Sequence, residues 1–198
     1  MIDAPAETPF VTPIEASTGT ATGFLEHYTK NPSSLMGVYQ AEPEVSGDGQ
    51  SDVAYEVFSS VRSALPGALT VGTSILNPGL VGKEFAMTRG HIHEISDRAE
   101  IYYCLSGSGL MLLESLSGEF HALEMEVGSL VYVPGGWIHR TVNVGSVPMI
   151  SLFCYNSDAG QDYAILERSG GMRKIVIDDG AGGWALQHNP RYVPRGEK

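Results

Sequence analysis

Short apolar runs, most of them alternating with polar positions at a period of two, recur along this chain and are cut apart by glycine, proline and polar clusters. Val53-Ala-Tyr-Glu-Val-Phe-Ser59 reads as a strand, as does Leu69-Thr-Val-Gly-Thr-Ser-Ile-Leu76. Further strands are expected over Glu84 to His93, Ala99 to Leu105, Leu110 to Leu113, Phe120 to Leu123, Ser129 to Val133, Trp137 to Val144, Pro148 to Tyr155, Asp162 to Glu167 and Lys174 to Ile177. Asn77-Pro-Gly79, Ser117-Gly118 and Pro134-Gly-Gly136 have turn composition. Residues 24 to 50 carry weak signals, and Gly47-Asp-Gly-Gln-Ser51 reads as a solvated loop. Some ten closely spaced short strands predict an all-β architecture, a closed barrel or a sandwich.

A length of 198 residues with 42% hydrophobic content fits one domain able to bury a real core. Residues 1–52, where strand signals are weak, are expected to form an N-terminal extension and edge segment, and residues 53–192 the main domain. The 24 glycines and 11 prolines agree with many strands and turns rather than long helices. A formal net charge of −11 argues against nucleic acid and anionic membrane as partners, since both demand clustered Lys and Arg. It leaves room for a small phosphate ester, provided that the pocket is locally positive. Residues 1–20 have neither the basic start nor the apolar core of a signal peptide, and no run reaches membrane-spanning length. Cys104 and Cys154 both sit in apolar runs and read as buried free thiols in a reducing compartment, which points to a cytoplasmic enzyme.

The candidate chemistry begins at Gly90-His91-Ile-His93. In an extended strand side chains two apart share a face, so His91 and His93 project together as half of a metal site. Glu100 opens the next strand-like run and adds a hard carboxylate. His139, just past the Pro-Gly-Gly turn, supplies a third imidazole. Alone, a His-x-His pair is more often a surface pair than a ligand pair; the added Glu and His at fixed spacing reverse that balance. His27, His121 and His188 match no motif and read as exposed or turn residues, while Trp184 and Tyr102-Tyr103 read by default as core or barrel-wall residues.

The spacing Gly128, five residues, Pro134, one, Gly136, two, His139, three, Asn143 matches the second signature motif of the cupin superfamily, and Glu100, six residues, Gly107 matches half of the first. Between His93 and Glu100, however, lie six residues where three or four are usual. In that departure the chain resembles the archaeal-type cupin glucose-6-phosphate isomerases, through Thr88-Arg-Gly90-His91-Ile-His93 and Asp97-Arg-Ala-Glu100. The likeness extends through Pro78-Gly79, Gly82-Lys-Glu-Phe85, Gly109-Leu-Met-Leu-Leu113, Val131-Tyr-Val-Pro134, His139-Arg-Thr-Val-Asn143, Ala159-Gly160, Asp162-Tyr163 and Lys174-Ile-Val-Ile177, roughly residues 53 to 192.

The resemblance implies a single-domain cupin jelly-roll barrel, a homodimer, and one divalent metal ion per subunit held by His91, His93, Glu100 and His139. Such mixed nitrogen and oxygen ligation suits Fe(II), Mn, Ni or Zn without choosing between them, and Fe(II) is the first expectation. The implied reaction interconverts glucose 6-phosphate and fructose 6-phosphate, with Glu100 placed to carry a proton between C1 and C2 and Tyr102 on the same face near the sugar. A metal-assisted hydride shift is the other route. For the phosphate the family positions match Tyr55, Ser74, Thr88, Gly90 and Tyr155, and Arg89 offers a charged donor where relatives carry Lys. One position departs: relatives read Ala-Gly-His-Asp-Tyr-Gly where this chain has Ala159-Gly-Gln161-Asp-Tyr163-Ala164. Gln161 can hold a hydroxyl but cannot shuttle a proton, which passes that task to a group such as Tyr163. Two alternatives stay open, a different phosphosugar isomerase or epimerase and a non-catalytic sugar-phosphate-binding cupin.

Overall fold

The computed structural model describes residues 9–24, 26–44, 53–60 and 67–195; the Gly47–Ser51 loop expected from composition lies outside them. A six-stranded antiparallel sheet is formed by β1 (Glu26–Lys30), β2 (Tyr55–Ser59), β3 (Leu69–Leu76), β6 (Glu100–Ser106), β9 (Leu130–Val133) and β11 (Met149–Asn156), in the order β1-β2-β3-β11-β6-β9. A second sheet holds β7 (Ser108–Ser115), β8 (Phe120–Glu126) and β10 (Trp137–Val142), in the order β10-β7-β8. A four-stranded ribbon joins β4 (Leu80–Val81), β5 (Glu84–Phe85), β12 (Lys174–Asp178) and β13 (Trp184–His188).

Counted with the segment 86–91, which bonds to β10 through Thr88 N to Thr141 O at 3.0 Å and His91 N to His139 O at 3.1 Å, the two main sheets have the strand order of a jelly roll. The sheets stay separate rather than closing into the continuous barrel that strand count allowed. β7 shows why they pack as a sandwich. Its run Leu110-Met-Leu-Leu113 is buried on both faces. Leu110 and Leu112 enter one apolar cluster with Ile138, Val142 and Phe153, and Met111 and Leu113 enter a second with Cys104, Met125, Val131 and Met149. A continuous apolar run of this kind suits a strand covered on both sides.

Two expectations are corrected. Residues 162–167 do not form a strand: Ala164–Arg168 is a short helix, α1. The Asp162 carboxylate accepts the Ile165 amide at 3.1 Å and binds Arg168 at 2.9 Å, and Ala, Leu, Glu and Arg are good helix formers. Glu84 to His93 is not one strand either, since regular pairing beyond β5 gives way to isolated bridges at Met87, His91 and Ile92. Cys104 and Cys154 are both free, as expected, but only Cys104 is fully buried. His27, His121 and His188 are exposed, yet all three lie on strands. Among the described residues no helix is long and apolar enough to cross a membrane.

Candidate metal centre

Three imidazoles and one carboxylate meet inside the sandwich. Segment 86–91 lies against β10, and reciprocal backbone bonds between His91 and His139 set their rings 4.4 Å apart. Glu100, the first residue of β6, faces them from the other sheet, paired across to Tyr155 and Val133. One donor atom from each of His91, His93, Glu100 and His139 lies within 4.8 Å of all the others, and His93, Glu100 and His139 are buried as whole residues, with His91 slightly more open.

The donors are aimed by the main chain. His139 Nδ1 lies 3.0 Å from the Trp137 carbonyl, and His93 Nδ1 lies 2.8 Å from the Arg98 carbonyl. A carbonyl only accepts, so each Nδ1 carries the hydrogen and each Nε2 of the neutral ring points a lone pair inward. Those atoms stand 3.0 Å and 3.3 Å from Glu100 Oε2, while His91 Nε2 is buried without a hydrogen-bond partner among the described residues. Lone pairs and a carboxylate converging on one point need a cation between them, so the residues fit a divalent metal of mixed nitrogen and oxygen preference. The Arg98 carbonyl is itself braced, because the Arg98 side chain forks onto Asp158 with both bonds at 2.8 Å and reaches Asp97 at 2.8 Å. The Asp97-Arg98 pair thus positions a ligand from behind.

Electrostatics agree. Burial alone would raise the Glu100 carboxyl, but His139 and His93 beside it outweigh burial and hold it well below the usual carboxylate range. Burial, then the neighbouring His139, drives His91 far below the ordinary imidazole value, so it stays neutral. Burial opposes charge on His93 too, but Glu100 and the Arg98 carbonyl prevail and raise it. A proton on His93 and a metal ion are rivals for the same attraction.

The centre opens into a cavity of about 340 Å³. Of the residues expected at the site, Tyr55, Ser74, Thr88, Arg89, Gly90, His91, Glu100, Tyr102, His139, Tyr155, Gln161 and Tyr163 all line it, and His93 stands behind them. Burial pushes Tyr55 and Tyr155 up to about 12 and raises Tyr102 well above the ordinary phenol value, so these phenols remain neutral donors. Tyr163 donates to Gln161 Oε1. Arg89 lies at the rim with its guanidinium paired to Glu167 and 5.6 Å from the Tyr163 ring centre. Gly90 has φ +77°, and a Cβ there would fall 2.9 Å from both Arg140 Nε and Leu166 Cδ1. Near His139 the tight position is Gly135, where a Cβ would meet the Ser96 carbonyl at 2.4 Å; Gly136 is needed for its φ of +78°.

Among the lining residues that sequence reasoning did not assign to the site, which include Val57, Ser59 and Phe153, two groups bring charge. Glu26, Tyr28 and Lys30 come from β1, whose Glu-His-Tyr-Thr-Lys sequence has no apolar alternation; the period-two spacing of the three was the available signal. Arg140 and Thr141 follow His139 directly. Arg140 is buried, and burial lowers its guanidinium to about 10, still cationic at neutral pH.

Comparison with known proteins gives the same direction. The model of the family described as glucose-6-phosphate isomerase (GPI) matches residues 29–195. A glucose-6-phosphate isomerase of Sinorhizobium medicae is 42% identical over 185 residues, 92% of this chain and 86% of the relative. One from Thermococcus litoralis is 44% identical over 177 residues, 86% of this chain and 92% of the relative. Among solved structures, an oxalate oxidase bound to the substrate analogue glycolate aligns with a TM-score of 0.42 at 22% identity, over 50% of this chain and 47% of that one. With a match to its family model across most of its length and relatives above 40% identity that it covers almost end to end, the chain belongs to the glucose-6-phosphate isomerase family.

Proposed function

We propose that this protein is a metal-dependent aldose-ketose isomerase interconverting glucose 6-phosphate and fructose 6-phosphate. The observation that carries the reading is the convergence of His91, His93, Glu100 and His139 at a cavity also lined with hydroxyls suited to a phosphosugar, in a chain of this family. A divalent ion held by those four residues supplies Lewis acidity to the negative charge that develops on the sugar oxygens.

The rest falls to side chains. Glu100, held ionised, removes the proton from C2 of the open-chain aldose and returns it to C1, while a proton passes from O2 to O1. Tyr102 donates its phenol hydrogen to a sugar oxygen. Gln161 and Tyr163, already bonded to each other, hold the hydroxyls further along the chain. Tyr55, Ser74, Thr88, the Gly90 amide and Tyr155 take the phosphate, and Arg89, whose exposed pairing with Glu167 is weak, steers it in from the rim. Fe(II) is assigned ahead of Mn, Ni and Zn; a homodimer and a cytoplasmic location complete the reading on the strength of the resemblance.

The test is a coupled assay on fructose 6-phosphate after EDTA treatment and separate re-addition of Fe(II), Mn, Ni and Zn. Turnover should return with metal and be absent in His91→Ala and Glu100→Ala. Binding of fructose 6-phosphate without turnover under every metal would instead favour a non-catalytic sugar-phosphate binder, the reading to which Gln161 in place of the family histidine lends weight.

A further inference from the structure

Arg140 is a guanidinium buried without an acid. Its side chain sits on β10 next to His139 and is 6% exposed. Nη2 donates to the Arg89 carbonyl at 2.6 Å and Nη1 to Met87 Sδ at 2.7 Å, a weak acceptor, while the buried Nε has no partner among the described residues. Among the described residues no carboxylate forms an ion pair with it; Glu84 acts on it from further away and is itself bonded by the Gln40 amide at 3.2 Å. An uncompensated buried cation is costly, and such a charge usually has a counterion.

The surroundings name that counterion. Arg140 lines the cavity with Tyr55, Ser74, Thr88, Gly90 and Thr141, and the missing side chain at Gly90 leaves the space that Nε occupies. Arg89, the cation nearby on the chain, sits at the rim in an exposed pairing with Glu167. We propose that Arg140 is the buried cation that receives the phosphate dianion of the substrate, so that the inner phosphate contact is charged and Arg89 serves only the approach. The proposal rests on the phosphosugar reading above. It also explains how a chain of net charge −11 holds a dianion: a fixed guanidinium whose fork suits phosphate oxygens adds to Arg89 and Lys30 at the same cavity.

The test uses the full-length, metal-loaded protein. In uniformly ¹⁵N-labelled wild type, the Nε–H resonance of Arg140 is followed while inorganic phosphate, and separately fructose, is added. It should move with phosphate and stay with fructose. Calorimetry should show phosphate affinity reduced about 10- to 100-fold in Arg140→Met and partly recovered in Arg140→Lys, with KM for fructose 6-phosphate rising more than kcat falls. An Nε–H resonance indifferent to phosphate, or a folded Arg140→Met with wild-type phosphate affinity, would overturn the proposal. The two readings separate cleanly. Phosphate binding through Arg140 in a protein that isomerises no hexose phosphate sinks the isomerase alone, and turnover with Arg140 indifferent to phosphate sinks only the anchor.

Discussion

At the scale of single residues, the centre is a set of atoms aimed by their partners, and its weaknesses follow from who does the aiming. Asp158 touches no ligand, yet it holds Arg98, whose carbonyl orients His93. Asp158→Ala should therefore weaken metal binding about 10- to 100-fold with the fold intact, measured by titration with a chelator-buffered metal. The raised His93 fixes the sign of the pH response: its proton competes with the metal until pH climbs past the ordinary imidazole range of about 6.5. Metal affinity should accordingly rise with pH through and above that value with net proton release, and calorimetry in buffers of different ionisation heat would show it; an affinity flat from pH 6 to 8 would contradict it. At Gln161, which accepts the Tyr163 hydroxyl, Gln161→His should raise isomerase turnover, and an unchanged or lower rate would show that no proton shuttle is missing. That His91, His93, Glu100 and His139 form one group able to hold a metal was legible in the sequence, because strand periodicity and fixed spacing both act on them. Arg140 was not, since a charged residue inside a strand run looks the same whether it faces water or a closed interior until its neighbours are known.

The elements were legible to the degree that they are apolar. β3 matches its expected run, and β6, β9, β10 and β11 match theirs to within two residues at either end, because burial is what those runs encode, while β7 and β8 continue beyond the four residues expected of each. β1 escaped because its inward face carries Glu26, Tyr28 and Lys30 to a polar cavity, so function erased the pattern that would have announced a strand. α1 was misread because five residues hold too little sequence to separate a period of 3.6 from one of two, and Asp162 decides between them through hydrogen bonds. Elements are also fastened by buried charge. Glu114 on β7 is inaccessible to solvent and binds Arg195 of the C-terminal segment and the Arg173 amide, the latter at 2.7 Å. Glu114→Ala would strand the Arg195 guanidinium, and the expected loss of about 3–5 kcal/mol in unfolding free energy can be read from denaturant titration.

For the molecule as a whole, the metal centre spans the sandwich: His91 and His139 come from the sheet of β10, and Glu100 comes from the six-stranded sheet. An ion bound there ties the two sheets together as well as serving chemistry. Saturating metal should therefore raise stability, by about 2.7 kcal/mol at a free concentration one hundred times Kd, and EDTA should lower Tm by the corresponding amount; a Tm indifferent to EDTA would argue against a centre formed in the native state alone. That the sheets meet without closing was beyond the sequence, since closure depends on twist and stagger between strands far apart in the chain. Finally, His93 and His139 are oriented by the backbone carbonyls of Arg98 and Trp137. Every amino acid brings a carbonyl, so mutational drift at residue 137 can recolour the surroundings of the centre without removing the group that sets His139. The aim of that ligand is inherited with the fold and exposed to selection only through changes that move the strand.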